Sequence, residues 1–487
     1  MDILFASTEL SPFVKVGGLA DVAAALPKAL RALGHRVTVV VPRFPELEAG
    51  GLLVARRLTP VRFQLGSKPI EATLFDGRLA SQVDLVLVDA PGLFDRAGVY
   101  GEKGVDYTDN HIRFAVFSRA IAEIAKQRAE TGTPFDVVHL NDWPTALAAT
   151  FLKGMSPPVP SRVVLTLHNV GHQGVFPKNA LPDLGLDWDA FKVDGIEFFG
   201  KLNVLKQGVL DADIVTTVSP TYAREIQTEQ GGAGLHGVFA ARGSALTGIV
   251  NGVDYSVWNP ATDSAIAGRY DAEDASNKTR CRGALLRALN LSVDRSGPIV
   301  ASVSRLVEQK GIDLLLTAIP EVLRGSDATF VIAGEGEDKF CEQLDGLAQA
   351  SNGRVVFVRK ASELMVHRIF AGADIVAVPS RYEPCGLVQL YAERYGAAPV
   401  VHATGGLVDT VVDADAKLET GTGFVFGEPT AEALTGALLR AVAARGLPRW
   451  PNLVRRMMRL DLGWERPARR YEQIYRSLAS SSSSSAA

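Results

Sequence analysis

Short apolar runs alternating with helical patterns constrain this chain more than any other feature. The runs Ile3–Ser7, Arg36–Pro42, Val83–Asp89, Asp136–Leu140, Val163–Leu167, Ile214–Val218 and Gly248–Val250 are rich in Val, Ile and Leu, and they read as strands. Amphipathic patterns such as Asp21–Leu33 and His111–Gln127 lie between several of them. Strands that are apolar nearly throughout are buried on both faces, which predicts a parallel sheet covered by helices on either side. The segment Val54–Asp76 alternates more like antiparallel strands and predicts a hairpin at one sheet edge. From about Pro298 the alternation restarts, with strands expected at Ile299–Val303, Thr329–Ala333, Val355–Val358, Ile375–Val378, Pro399–Val401 and Gly423–Phe426. Helical patterns fill these gaps at Ile312–Leu323, Cys341–Ala350, Glu363–Ala371, Val388–Tyr395 and Ala431–Ala444. A chain of 487 residues exceeds one ordinary core, so the restart reads as a second doubly wound α/β unit.

Composition serves mainly to exclude. A formal charge of −3 argues against a dedicated nucleic-acid or membrane-surface binder. No apolar run approaches the ~20 residues that span a bilayer. Met1–Ala6 lacks a basic region and a long apolar core, and is expected to be a first strand rather than a leader. Cys281, Cys341 and Cys385 are scattered, with no CxxC pair, which points to a cytoplasmic chain without a cysteine-built metal site.

Residues able to do chemistry gather just beyond the expected strand ends. Ser380–Leu387 follows the run Ile375–Val378 and places Glu383 beside Pro384, Cys385 and Gly386 in a strand-to-helix turn. Such turns are where open parallel sheets bind ligands, and a helix start favours an anion. Lys15-Val16-Gly17-Gly18 follows the first strand; paired glycines allow close approach to a diphosphate, and Lys15 adds charge. The same loop could simply turn the chain into the helix, since it is neither a GxGxxG fingerprint nor a P-loop. Arg305 and Lys310 flank one strand-to-helix loop, and two fixed cations suit a departing diphosphate. His168 and Asp142 end two further strands and could each hold a sugar hydroxyl, or could be structural; Trp143 could equally be a packing residue. Thr404-Gly405-Gly406 repeats the Gly-Gly design, and Asn251-Gly252 reads as a turn or the start of a hinge. Two such sheets facing each other would form one cleft with groups suited to a diphosphate on both walls.

Taken in order, Lys15–Leu19, His168-Asn169, Asn251–Asp254, Ser304-Arg305-Leu306 with Lys310-Gly311, Arg381–Leu387 and Thr404–Leu407 resemble the bacterial glycogen synthases, relatives of the plant starch synthases. The resemblance runs from residue 1 to about residue 478. It implies a GT-B fold of two Rossmann-like domains, at residues 1–250 and 251–463, with a helix at 464–478 returning to the N-terminal domain. The Ser/Ala tail at 479–487 is expected to be disordered. The implied reaction carries glucose from ADP-glucose to the 4-hydroxyl at the non-reducing end of an α-1,4-glucan such as glycogen. It retains configuration and needs no metal or other cofactor. Lys15, Gly17 and Gly18 would meet the diphosphate, Arg305 and Lys310 would stabilise the leaving phosphates, and Glu383 and His168 would sit at the donor sugar. Asp142, Asn251, Cys385, Gly386, Leu387, Thr404, Gly405 and Gly406 would complete the donor site, although Cys385 reads better as a small buried residue.

Three positions depart from the family pattern: Pro144 stands where His is usual, His172 where Tyr is common, and Ala361 near where a Tyr would lie against adenine. Arg359 or Lys360 could stack there instead. The choice of ADP over UDP therefore rests on the resemblance, and a UDP-glucose enzyme, a small-acceptor transferase and a non-catalytic binder stay as alternatives.

Overall fold

The structure is a computed structural model that describes residues 1–102 and 104–484, with side chains up to residue 480. It divides into two units: residues 1–251 together with the segment from Trp464 onward, and residues Gly252–Gly463.

The first unit is built on a 10-stranded sheet. Its parallel part runs, in spatial order, Leu246–Gly248, Ile214–Thr217, Arg162–Leu167, Val137–Asn141, Asp2–Ala6, Arg36–Pro42 and Asp84–Asp89. Beyond Asp84–Asp89 the sheet turns antiparallel through Lys68–Arg78, which also pairs with Val54–Arg56 and Val61–Leu65. This is the edge hairpin that the alternating pattern predicts. The helix Gly18–Ala32 buries Leu19, Val22, Ala23, Leu26 and Leu30, the three-and-four spacing of one helical face.

The helix Glu465–Ser484 belongs to this unit although the whole second unit precedes it in the chain. Ala468, Tyr471 and Tyr475 are its buried residues, and the Tyr475 hydroxyl meets His139 Nδ1 at 2.6 Å. The Ser/Ala stretch expected to lose order after residue 478 instead continues this helix to Ser484. Once a buried turn has nucleated a helix, each further residue adds a backbone bond at little cost, and Ala favours it. Residues 485–487 lie outside the described residues.

The second unit carries a six-stranded, wholly parallel sheet in the order Val355–Arg359, Thr329–Gly334, Ile299–Val303, Ile375–Val378, Ala398–His402, Phe424–Phe426. Counted along the chain this order is 3-2-1-4-5-6, that of a dinucleotide-binding sheet. The order reverses between Ile299–Val303 and Ile375–Val378, and the carboxyl ends of strands at such a switch point are where open α/β sheets bind ligands. In the first unit the corresponding reversal falls between Asp2–Ala6 and Val137–Asn141. No helix among the described residues is long and apolar enough to cross a membrane.

Candidate active site

In the second unit the loops after Ile299–Val303 and Ile375–Val378 both leave the switch point, and they are tied together. Arg381 N donates to Gln309 O at 2.8 Å, and Gln309 Nε2 donates to Tyr382 O at 3.3 Å. Gly311 makes this approach possible: its φ is +67°, and a Cβ there would lie 2.1 Å from the Pro379 carbonyl oxygen. The result brings Lys310 Nζ to 2.5 Å from Glu383 Oε2, which also accepts from Ser380 Oγ at 2.9 Å. Glu383 is only 7% exposed. His402 Nδ1 donates to the Ser380 carbonyl at 2.8 Å and steadies the loop from behind.

This arrangement revises two expectations. Lys310 and Arg305 were expected to act as a matched pair of cations; Lys310 is instead neutralised by Glu383, because the reversal of strand order puts the two loops side by side. The Arg305 side chain stays exposed, and its guanidinium has no hydrogen bond or ion pair among the described residues. The second Gly-Gly turn was expected to offer donors to a ligand. The Gly406 N–H is already committed to the Glu383 carbonyl at 3.0 Å, and a Cβ at Gly406 would come within 2.3 Å of Cys385 O. Gly406 thus packs one backbone onto another and fixes the Glu383 turn. Thr404 precedes the helix Gly405–Thr410 as its cap residue, and both Thr404 and Gly405 are buried. Cys385 is buried and presents its carbonyl to Gln389 Nε2 at 3.0 Å, while Gly386 and Leu387 lead into the helix Val388–Arg394. At the end of Val355–Arg359, Arg359 is held by Asp345 at 3.0 Å, and Lys360 is exposed with φ +54°.

In the first unit a residue absent from the sequence reading governs the Lys15 loop. Glu9 Oε2 accepts from Val16 N and Gly17 N, each at 2.8 Å, and Glu9 Oε1 accepts from the Tyr100 hydroxyl at 3.0 Å. Burial raises the Glu9 carboxyl above its ordinary value, opposed by the two backbone N–H groups. The Gly17 donor expected at a diphosphate is therefore spent within the protein, and Gly18 opens the helix behind it. Lys15 is 45% exposed and pairs with Asp21 at 2.8 Å. Glu9 stands just past the first strand, the same signal that marks Lys15, so position alone could have found it. Tyr100 carries no such signal.

Asp142 also differs from expectation. Its Oδ1 accepts the His168 backbone N–H at 2.7 Å, and the carboxylate takes the Asn169 N–H as well. It organises the turn after Arg162–Leu167 through these two bonds. Burial pushes the Asp142 carboxyl up to about 7 against those bonds. Trp143 packs edge-on against Phe114 and Phe176, at 5.0 and 5.7 Å between ring centres. His168 Nε2 lies 2.8 Å from Asn141 Oδ1, and the Asn141 amide is oriented by its Nδ2 donating to Ala6 O at 2.9 Å. An amide oxygen only accepts, so the proton sits on Nε2 and Nδ1 keeps a lone pair. Burial lowers His168 to about 3, so the ring is neutral and Nδ1 is an acceptor ready for a hydroxyl. Asn251 is buried, and its Oδ1 has no hydrogen-bond partner among the described residues.

Comparison with known proteins accords with this geometry. Residues 2–241 match the starch synthase catalytic domain, and residues 290–451 match the glycosyl transferases group 1 domain. The glycogen synthase of Thioalkalivibrio sulfidiphilus (strain HL-EbGR7) is 43% identical over 490 residues, covering 99% of this chain and 100% of that one. The glycogen synthase of Anaeromyxobacter sp. (strain Fw109-5) is 42% identical, covering 98% and 100%. Among solved structures, the catalytic domain of starch synthase IV from Arabidopsis thaliana, bound to ADP and acarbose, superposes with a TM-score of 0.90 at 31% identity, covering 98% of this chain and 99% of that one. With both domains matched and full-length relatives on either side, the chain is a glycosyltransferase of GT-B fold and belongs to the glycogen synthase family.

Proposed function

We propose that the protein transfers the glucosyl unit of ADP-glucose to the 4-hydroxyl at the non-reducing end of an α-1,4-glucan, with retention of configuration and without a metal. The observation that carries this reading is the Glu383–Lys310 pair at the switch point of a dinucleotide-type sheet. In the reaction the bond from the anomeric carbon to the diphosphate oxygen breaks and a bond to the acceptor oxygen forms. The acceptor's proton leaves with the phosphate side. Arg305, unpaired and exposed, is the cation available to the diphosphate before any internal bond is broken. Lys310 can follow, because its partner Glu383 is drawn to the positive charge that develops on the departing sugar. Neutral His168 accepts a donor-sugar hydroxyl at Nδ1. Glu9 and Asp142 act through the loops they hold, Glu9 by shaping the Lys15–Gly18 turn and Asp142 by orienting His168.

Support for the donor and acceptor comes from the relatives' names and from the ADP and acarbose in the starch synthase structure. Ala361, near where the family places an aromatic against adenine, leaves base recognition without that contact, and a UDP-linked donor is the second reading. Initial rates with ADP-glucose and with UDP-glucose, each on glycogen and on glucose 1-phosphate, separate the two. We expect label in glycogen from ADP-glucose; no incorporation overturns the proposal. A cytoplasmic location is part of the same proposal and fits three buried cysteines that form no disulfide.

A further inference from the structure

The second unit has a cavity that the reaction does not use. It measures about 420 Å³ and lies between the starts of two helices, Lys278–Ala288 and Trp450–Met458, whose first-turn residues Lys278, Thr279, Trp450 and Pro451 line it. Asp374, at its floor, accepts from the backbone N–H of Ile299 at 2.9 Å. Both residues stand at the amino ends of the central strands, so the cavity opens at the sheet edge opposite Glu383.

Four cations line it: Lys278, Arg282, Arg445 and Arg455. Two of the three carboxylates there are paired with cations, and the third is held by a backbone N–H. Asp374 is shared between Arg282 at 2.6 Å and Arg445 at 2.7 Å; Glu273 pairs with Arg459 at 2.8 Å; Asp274 accepts from Ser276 N at 2.9 Å. The Lys278 ammonium meets only neutral oxygens, the carbonyls of Phe370, Ala371 and Tyr395 at 3.3, 3.1 and 2.8 Å. Arg445 uses only its Nε on Asp374, and the Arg455 guanidinium makes no hydrogen bond or ion pair among the described residues. The guanidinium groups of Arg445 and Arg455, both with open donors, converge on one space. Fork-shaped guanidinium donors are groups that proteins aim at phosphate.

From this convergence we propose that the cavity binds a small phosphate-bearing ligand, at a site separate from catalysis. The space exceeds what orthophosphate alone fills, and Trp450, Pro451 and Val454 supply an apolar side for the rest of a phosphomonoester. The proposal does not depend on the identity of the sugar donor.

Calorimetric titration of the full-length protein with inorganic phosphate, at constant ionic strength, tests it. Arg455 is exposed and unpaired, so Arg455→Ala should fold normally. We expect it to weaken phosphate binding by about tenfold or more, the loss of one charge-assisted contact. Arg305→Ala, at the opposite sheet edge, should leave phosphate binding unchanged. Titration with a hexose monophosphate then identifies the source: tighter binding than phosphate means the apolar side is read as well, and equal binding means the phosphate group is the whole ligand. The proposal fails if the wild-type protein shows no phosphate binding at millimolar concentration, if Arg455→Ala binds as wild type, or if Arg305→Ala abolishes binding.

Discussion

At the scale of single residues the decisive contact is an ammonium 2.5 Å from a buried carboxylate. A buried charge that loses its partner is costly, so each half of the Lys310–Glu383 pair has a separate signature. Removing Lys310 leaves the Glu383 carboxylate with Ser380 alone, and Lys310→Ala should destabilise the second unit by about 3 kcal/mol in denaturant unfolding. Glu383→Ala removes the carboxylate that the proposed mechanism sets at the donor sugar. It should cut kcat by orders of magnitude, while the affinity for ADP, measured by calorimetry, stays close to that of wild type. Turnover that survives this substitution would falsify the role given to Glu383.

The buried histidines make a pH prediction at the same scale. His139 and His168 are each held at about 3 by burial, against an ordinary value of 6.5. The unfolded chain therefore takes up protons near pH 6.5 that the folded chain refuses. The stability these two groups confer is complete above pH 6.5 and is lost as pH falls toward 3. Each adds a slope of about 1.4 kcal/mol per pH unit in that window. Urea unfolding of His139→Gln, measured against wild type from about pH 4 to about pH 7, should show a shallower pH dependence.

At the scale of elements, two features hold the catalytic edges in shape. The close approach at Gly311 permits no side chain, and Gly311→Ala should push the Lys310 loop off the Glu383 loop. We expect activity to fall together with a loss of stability of about 2 kcal/mol, read by thermal melting. The second feature is the last helix. Its Tyr475 hydroxyl meets His139, whose other nitrogen meets Thr166 Oγ1 at 2.6 Å, and Thr166 meets Thr216 at 2.6 Å. The helix is thus joined through hydrogen bonds to three neighbouring strands of the first unit's sheet. Tyr475→Phe keeps the ring packing and leaves a buried imidazole nitrogen unpaired, which should cost about 1–2 kcal/mol. Strand and helix positions were largely readable in advance, because burial on both faces imprints apolar runs on each strand separately. The roles of Asp142 and the glycine turns were not, because whether a backbone N–H is free for a ligand depends on what packs against it.

At the scale of the molecule, the chain leaves its first unit at Asn251, builds the second, and returns at Trp464. A chain ending at Gly463 would strip the first unit of Ala468, Tyr471 and Tyr475 and open His139 to water. Its melting should show the first unit unfolding at lower temperature while the second unit's transition stays in place; a single unshifted transition would refute the division of roles. What the sequence by itself determined is local in origin: two parallel α/β sheets, the positions of their strands, and the gathering of Lys15, His168, Arg305, Lys310 and Glu383 just past strand ends. Only the tertiary structure decided the strand order that sets Lys310 against Glu383, 73 residues apart, and His139 against Tyr475, 336 apart. It also decided that Glu9 and Tyr100 occupy the Lys15 loop. Periodicity and composition report each segment's own burial, whereas partners across such separations are chosen by how the segments pack.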